Sequence, residues 1–390
     1  MRQKLFMALV VLLLVCGQAS AASKIASGNV YDDSPPYVCT GNIKFLGSVQ
    51  FAIDPPVGNA GDQTQWHFII EPTIQRYYAL YSSAHGGVNG SLQIKSGTYS
   101  TSGISQPDKS ASYPYPEFPR GMRTAVALSG VGTVMQVYNH TLPANTSARS
   151  ISHNQDLSSA STLNYIGAYN ASRLLGTLVP DPDGNSAYSL STSGSSGACS
   201  SGFNCIMTYD GVQATPPIGG TVGIAAIITT MGRDSSLGML YGSIRNFSQA
   251  GDVANCVVYK SYSNFMTNGA AVDINGRCPH LGIETAPAIG QWYGISSNVF
   301  RATSPGLVYQ TVSASITNPP LSLNSNDQSR LGYYDSYVNK FYIVGTDNTG
   351  AMKVGRMDPL TLAYEASLAA GNVFSVTQQT FAVDRTQRLL

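Results

Sequence analysis

Carboxylates are the side chains whose types and spacing first raise a question of chemistry in this chain. Asp181, Asp183 and Asn185 surround Gly184, and two carboxylates with an amide about a tight turn are ligands that calcium accepts. The same Asp-Gly step is also a common hairpin turn. No cofactor is expected, and calcium at this turn is the alternative to that reading. Glu71, Asp234, Glu284, Asp335 and Asp384 recur along the chain. Two such acids a few ångströms apart would suit hydrolysis of a polysaccharide, but acids sharing one position of a repeat read more simply as turn caps. Nucleophilic catalysis finds no G-x-S-x-G elbow, and Gly219-Gly220 leads into no phosphate-binding Gly-Lys-Ser/Thr. The five histidines lack ligand spacing and no C-x-x-C occurs. On these grounds a non-enzyme is favoured over an enzyme.

Contact chemistry is better supplied. Tyr113, Tyr115 and Phe118 lie in a proline-stiffened segment, Tyr-Pro-Tyr-Pro-Glu-Phe-Pro, that cannot be a central strand. Trp292 and Tyr293 are the other aromatics offered as contacts, since amphipathic rings serve well at interfaces. Most of the remaining tyrosines should pack inside strands.

The compartment follows from the N-terminus. Arg2 and Lys4 precede the apolar run Leu5–Val15, which is followed by Ala19-Ser20-Ala21. That order describes a secretory signal spanning residues 1–21, and the run is too short to span a bilayer. Secretion makes disulfides the default for the remaining cysteines. Cys199 with Cys205 would clip a Ser/Gly-rich loop, and Cys256 with Cys278 would close a loop at a gain of roughly 3 kcal/mol. Cys39 is left over, either free or paired between chains. Asn89, Asn139, Asn145, Asn170 and Asn246 head glycosylation sequons.

What positions these residues is a repeat. Charged residues make up only 11% of the chain and the net charge is +1, which leaves no basic footprint for nucleic acid. Hydrophobic content of 43% argues against disorder. Helical periodicity is nearly absent. Short runs of Val, Ile, Tyr, Phe and Thr alternate with Gly, Pro, Asn, Asp and Ser, the pattern of many short strands. One unit recurs: an apolar residue, an acid or amide, a few polar residues, then an aromatic strand. Its anchors fall at positions 71, 129, 170, 234, 284, 335 and 384, and the last three spacings are 50, 51 and 49 residues. Seven anchors at this period suit a seven-bladed β-propeller of four-stranded antiparallel blades.

The clearest copy runs from Asp335 through Tyr342-Ile343-Val344, turns at Asp347-Asn348-Thr349-Gly350 and continues to Asp358-Pro359-Leu360-Thr361. It resembles the YVTN-type and related propeller blades, in which an Asp turn leads to a strand ending Tyr-Val and a following strand runs into Asp-x-x-Thr. The resemblance implies architecture and carries no activity with it. Residues 22–390 would then be one propeller. Ile43-Lys44-Phe45-Leu46 and Val49-Gln50-Phe51-Ala52-Ile53 would supply two strands to a last blade completed by the C-terminus.

The function expected from the sequence is that of a secreted module binding an extracellular protein or glycan, with no nucleic acid and no membrane insertion. The alternatives are a structural subunit of a self-assembling filament or coat, and a secreted polysaccharide-acting enzyme.

Overall fold

The structure, a computed structural model, describes residues 5–15, 42–53, 63–84, 91–114, 122–128, 133–142, 145–158, 160–164, 179–180, 187–192, 204–209, 214–215, 226–234, 239–246, 256–261, 272–273, 282–295, 298–303, 316–317, 321, 332–349, 352–369, 382–385 and 387. Among these the chain is all-β and antiparallel, with a single 3-10 turn at Pro287–Ile289. β1 (Leu5–Val15) pairs with β2 (Asn42–Ile53). The first larger sheet holds β3 (Gln63–Glu71), β4 (Arg76–Ala84) and β5 (Ser91–Ser100) in that order, with β6 (Gly103–Ile104) and β7 (Lys109–Pro114) both on β5. The second is β8 (Met122–Leu128), β9 (Thr133–Leu142), β10 (Asn145–Asn154) and β11 (Ala160–Asn164). The third is β12 (Val179–Pro180), β13 (Ala187–Thr192), β14 (Asn204–Tyr209) and β15 (Ala214–Thr215). The fourth is β16 (Ala226–Asp234), β17 (Met239–Asn246), β18 (Cys256–Ser261) and β19 (Val272–Asp273). The fifth is β20 (Gly282–Ala286), β21 (Gln291–Ile295), β22 (Val299–Thr303) and β23 (Ile316–Thr317). The sixth is β24 (Gly332–Asp335), β25 (Lys340–Thr346), β26 (Met352–Met357) and β27 (Tyr364–Ala369).

The second to sixth sheets are meanders in chain order, and the first departs from one only in that β6 and β7 share β5. First strands are neighbours: β3 lies beside β8, β16 beside β20, and β20 beside β24. This is the propeller-like arrangement the repeat implies. Six such sheets are seen among the described residues rather than seven. The N-terminal expectation changes more: residues 42–53 form one strand, not two. Gly47 does not turn the chain; the register with β1 slips there, Val11 facing Gly47 and Leu12 facing Phe45. A bulge absorbs the glycine and the strand continues.

Burial explains why the strands read as continuous apolar runs rather than alternating ones. All five residues of β20 and of β21 are buried, as are all four of β24. A sheet packed between two neighbours has no wet face, so both side-chain sets must be apolar or hydrogen-bonded. The core between the fifth and sixth sheets holds Tyr293, Ile295, Val299, Tyr334, Phe341, Ile343 and Met357. The Tyr293 ring stacks on Phe341 at 4.3 Å, and Trp292 meets Phe300 edge-on at 6.0 Å.

Tyrosines then tie sheet to sheet. The third residue of a second strand sends its hydroxyl into the last turn of the following sheet: Tyr78 donates to the Gln155 carbonyl at 2.7 Å, and Tyr293 to the Pro359 carbonyl at 2.9 Å. The repeat Arg76-Tyr77-Tyr78, Gln291-Trp292-Tyr293 is therefore an inter-sheet fastening as well as a strand.

Candidate functional site

The repeated acids share one rim. Glu71, Asp234, Glu284 and Asp335 lie at or near the end of a first strand, before the turn into the second, Asp384 stands at the seventh anchor, and all five are buried. Three of them cap turns. Glu71 Oε1 accepts the Thr73 N–H at 3.0 Å, Asp335 the Tyr337 N–H at 2.9 Å, and Asp384 the Gln387 N–H at 2.9 Å. A side-chain oxygen bonding a backbone N–H two or three residues on is the ordinary local use of such residues.

Glu284 does something different. Its Oε1 accepts the Tyr334 N–H of the next first strand at 3.1 Å and the guanidinium of Arg385 at 2.7 Å. Arg385 also stands 5.0 Å above the Tyr333 ring, a cation–π arrangement. Glu284 is enclosed while the Arg385 side chain is 56% exposed, so a fixed carboxylate holds a cation that still meets solvent. Asp384, the neighbour of Arg385 in sequence, accepts the Tyr99 hydroxyl at 2.9 Å, joining the C-terminal turn to the first sheet. Burial, the Asp384 charge and that hydrogen bond together push the Tyr99 phenol far above its usual range. The result is a half-exposed cation set among buried carboxylates, able to stabilise developing negative charge beside groups able to take a proton.

The spacing of Glu284 carries its signal in the sequence. From Glu71, Asp234 and Asp335 to the start of the next strand is five residues, but from Glu284 it is seven. Glu284 therefore sits one pleat back from the turn and faces across the rim instead of into it. Nothing local in the sequence marks Arg385, whose partner lies 101 positions away.

The residues singled out from sequence fare unevenly. Trp292 and Tyr293 are fully buried, and as packing and fastening residues they present no contact surface. Tyr113 is a residue of β7 paired with Leu92, whereas Tyr115 and Phe118 lie outside the described residues. Asp181, Asp183 and Asn185 also lie outside them, and among the described residues no group of His, Cys, Asp and Glu could hold a metal. Cys205 is in β14 and Cys256 in β18; Cys39, Cys199 and Cys278 fall outside. Asn139, Asn145 and Asn246 lie on β9, β10 and β17, and Asn89 and Asn170 fall outside.

With the geometry in place, two solved structures are similar to it along their whole length. One is a periplasmic gluconolactonase of Pseudomonas aeruginosa, 9% identical, with 94% of this chain and 97% of that chain covered and a TM-score of 0.52. The other is a Bacteroides uniformis protein provisionally titled a 6-phosphogluconolactonase, 10% identical, with 93% and 97% covered and a TM-score of 0.53. No protein-family model matches the chain, and no curated protein matches it in sequence. At this identity the likeness is one of fold. It corrects the functional expectation: these two proteins, matched end to end, are titled as lactonases, not as adhesion modules, filament subunits or polysaccharide-acting enzymes.

Proposed function

We propose that this chain is an exported enzyme that hydrolyses small cyclic esters, built on a seven-bladed propeller. The observation carrying the reading is the end-to-end fold match to two proteins titled as lactonases. Export is supported by the charged, apolar and small-residue order of residues 1–21 and by the periplasmic title of one neighbour. A seventh blade is supported by the hydrogen bond from Tyr99 of the first sheet to Asp384, which stands at the seventh anchor. Closure by that route removes open sheet edges.

Hydrolysis of a lactone adds water oxygen to the ester carbonyl carbon and breaks the ring C–O bond. The water proton passes through a base to the leaving ring oxygen, which departs as a hydroxyl. Negative charge gathers on the carbonyl oxygen on the way, and a fixed cation nearby lowers that barrier. Arg385 is the residue we assign to that oxygen. Glu284 and Tyr333 position it, and Asp335 is the acid beside it that would take the proton. The test is proton release in a pH-stat from glucono-1,5-lactone, a γ-lactone and an open-chain ester. Rates proportional to enzyme and confined to the lactones support the reading, and no rate above the spontaneous one rejects it.

A further inference from the structure

We infer that the rim around Arg385 selects an uncharged lactone and disfavours its phosphorylated counterpart; this deepens, and rests on, the lactone-hydrolysing reading. The argument is one of local charge. The whole chain carries a net charge of +1 from 21 acids and 22 cations. Yet five of those acids are gathered at this one rim, all buried, and Arg385 is bound to one of them. The cations at neighbouring turns are already engaged, Arg76 by Asp108 and Lys340 by Glu365. Glu71 adds to the imbalance, because its Oε2 is enclosed with no hydrogen-bond partner, so its charge is not shared out on that side. Phosphate recognition asks for clustered donors of positive charge. Among the described residues this rim presents Arg385, whose fork is partly occupied by Glu284, within a surround of carboxylates that repels a phosphate dianion. A neutral polyol ring meets no such penalty, and its hydroxyls suit carboxylate acceptors.

The experiment uses the full mature protein, with gluconolactam and gluconolactam 6-phosphate as stable probes in titration calorimetry and the two lactones as substrates. Like-charge opposition at the site predicts that the neutral lactam binds at least about tenfold tighter. Raising the salt should shrink that ratio. Asp335→Asn, which keeps an oxygen for the Tyr337 N–H, should also lower it, by about threefold or more. Equal or tighter binding of the phosphorylated lactam overturns the inference, as does a ratio unmoved by both salt and D335N. Faster turnover of the phosphorylated lactone would sink the inference while leaving lactone hydrolysis standing. Failure to open either lactone or to bind either lactam would end both.

Discussion

Removing the Tyr99 hydroxyl is the sharpest single-atom test at the residue scale. Its partner Asp384 is fully buried and links the C-terminal turn to the first sheet. Tyr99→Phe leaves that carboxylate oxygen short of a donor, which costs about 1–3 kcal/mol. Urea unfolding should show it, whereas Tyr337→Phe, at an exposed turn tip, should change stability by less than about 0.5 kcal/mol. The same tyrosines set an alkaline limit. Burial above all holds the phenols of Tyr77, Tyr78, Tyr99 and Tyr293 above the ordinary range. Each keeps its proton in the folded state at a pH where the unfolded chain, with pKa near about 10, has lost it. Their contribution to stability is therefore whole below about pH 10 and falls as pH rises beyond it. Urea midpoints should hold up to about pH 10 and drop above it, with phenolate absorbance jumping as the protein unfolds. A full phenolate titration centred near 10 in the still-folded protein would contradict this burial.

At the scale of elements, the close approach of first strands is the feature most exposed to mutation. A Cβ on Gly232 of β16 would come within 2.8 Å of the Ile283 carbonyl oxygen of β20, and backbone cannot step aside as a side-chain tip does. Gly232→Ala should cost about 1–3 kcal/mol, read from thermal unfolding, and a neutral result would mean the two strands are not so close. The repeat itself was legible because its acids, aromatics and spacing are local: Asp335, Tyr342 and Asp358 declare a blade in 24 residues. Turn capping by Glu71, Asp335 and Asp384 was legible for the same reason. The fate of Gly47 was not, since a glycine between apolar runs writes a turn and a bulge alike, and the pairing partner decides. Trp292 and Tyr293 misled in a related way. An aromatic pair suits an interface as well as a core, and only the packing of a second sheet against β21 turned both inward.

On the scale of the whole molecule, the contacts that matter most join positions far apart in sequence. Arg385 reaches Glu284 across 101 residues and Tyr99 reaches Asp384 across 285. No local pattern announces such pairs, because each joins the C-terminal turn to a strand far earlier in the chain. On the proposed reading, catalysis sits where the C-terminal turn meets Glu284. Its most direct test is the steady-state rate of glucono-1,5-lactone hydrolysis by the mature protein beside Arg385→Lys, with the spontaneous rate subtracted. Lysine keeps the charge but loses the planar fork that spans Glu284 and the substrate oxygen. Enzyme-dependent hydrolysis should be clear in the unaltered protein and fall by about a hundredfold or more in the variant, mainly in kcat, while the protein stays folded. Lactone hydrolysis undiminished in R385K, or absent from the unaltered protein, would contradict that reading.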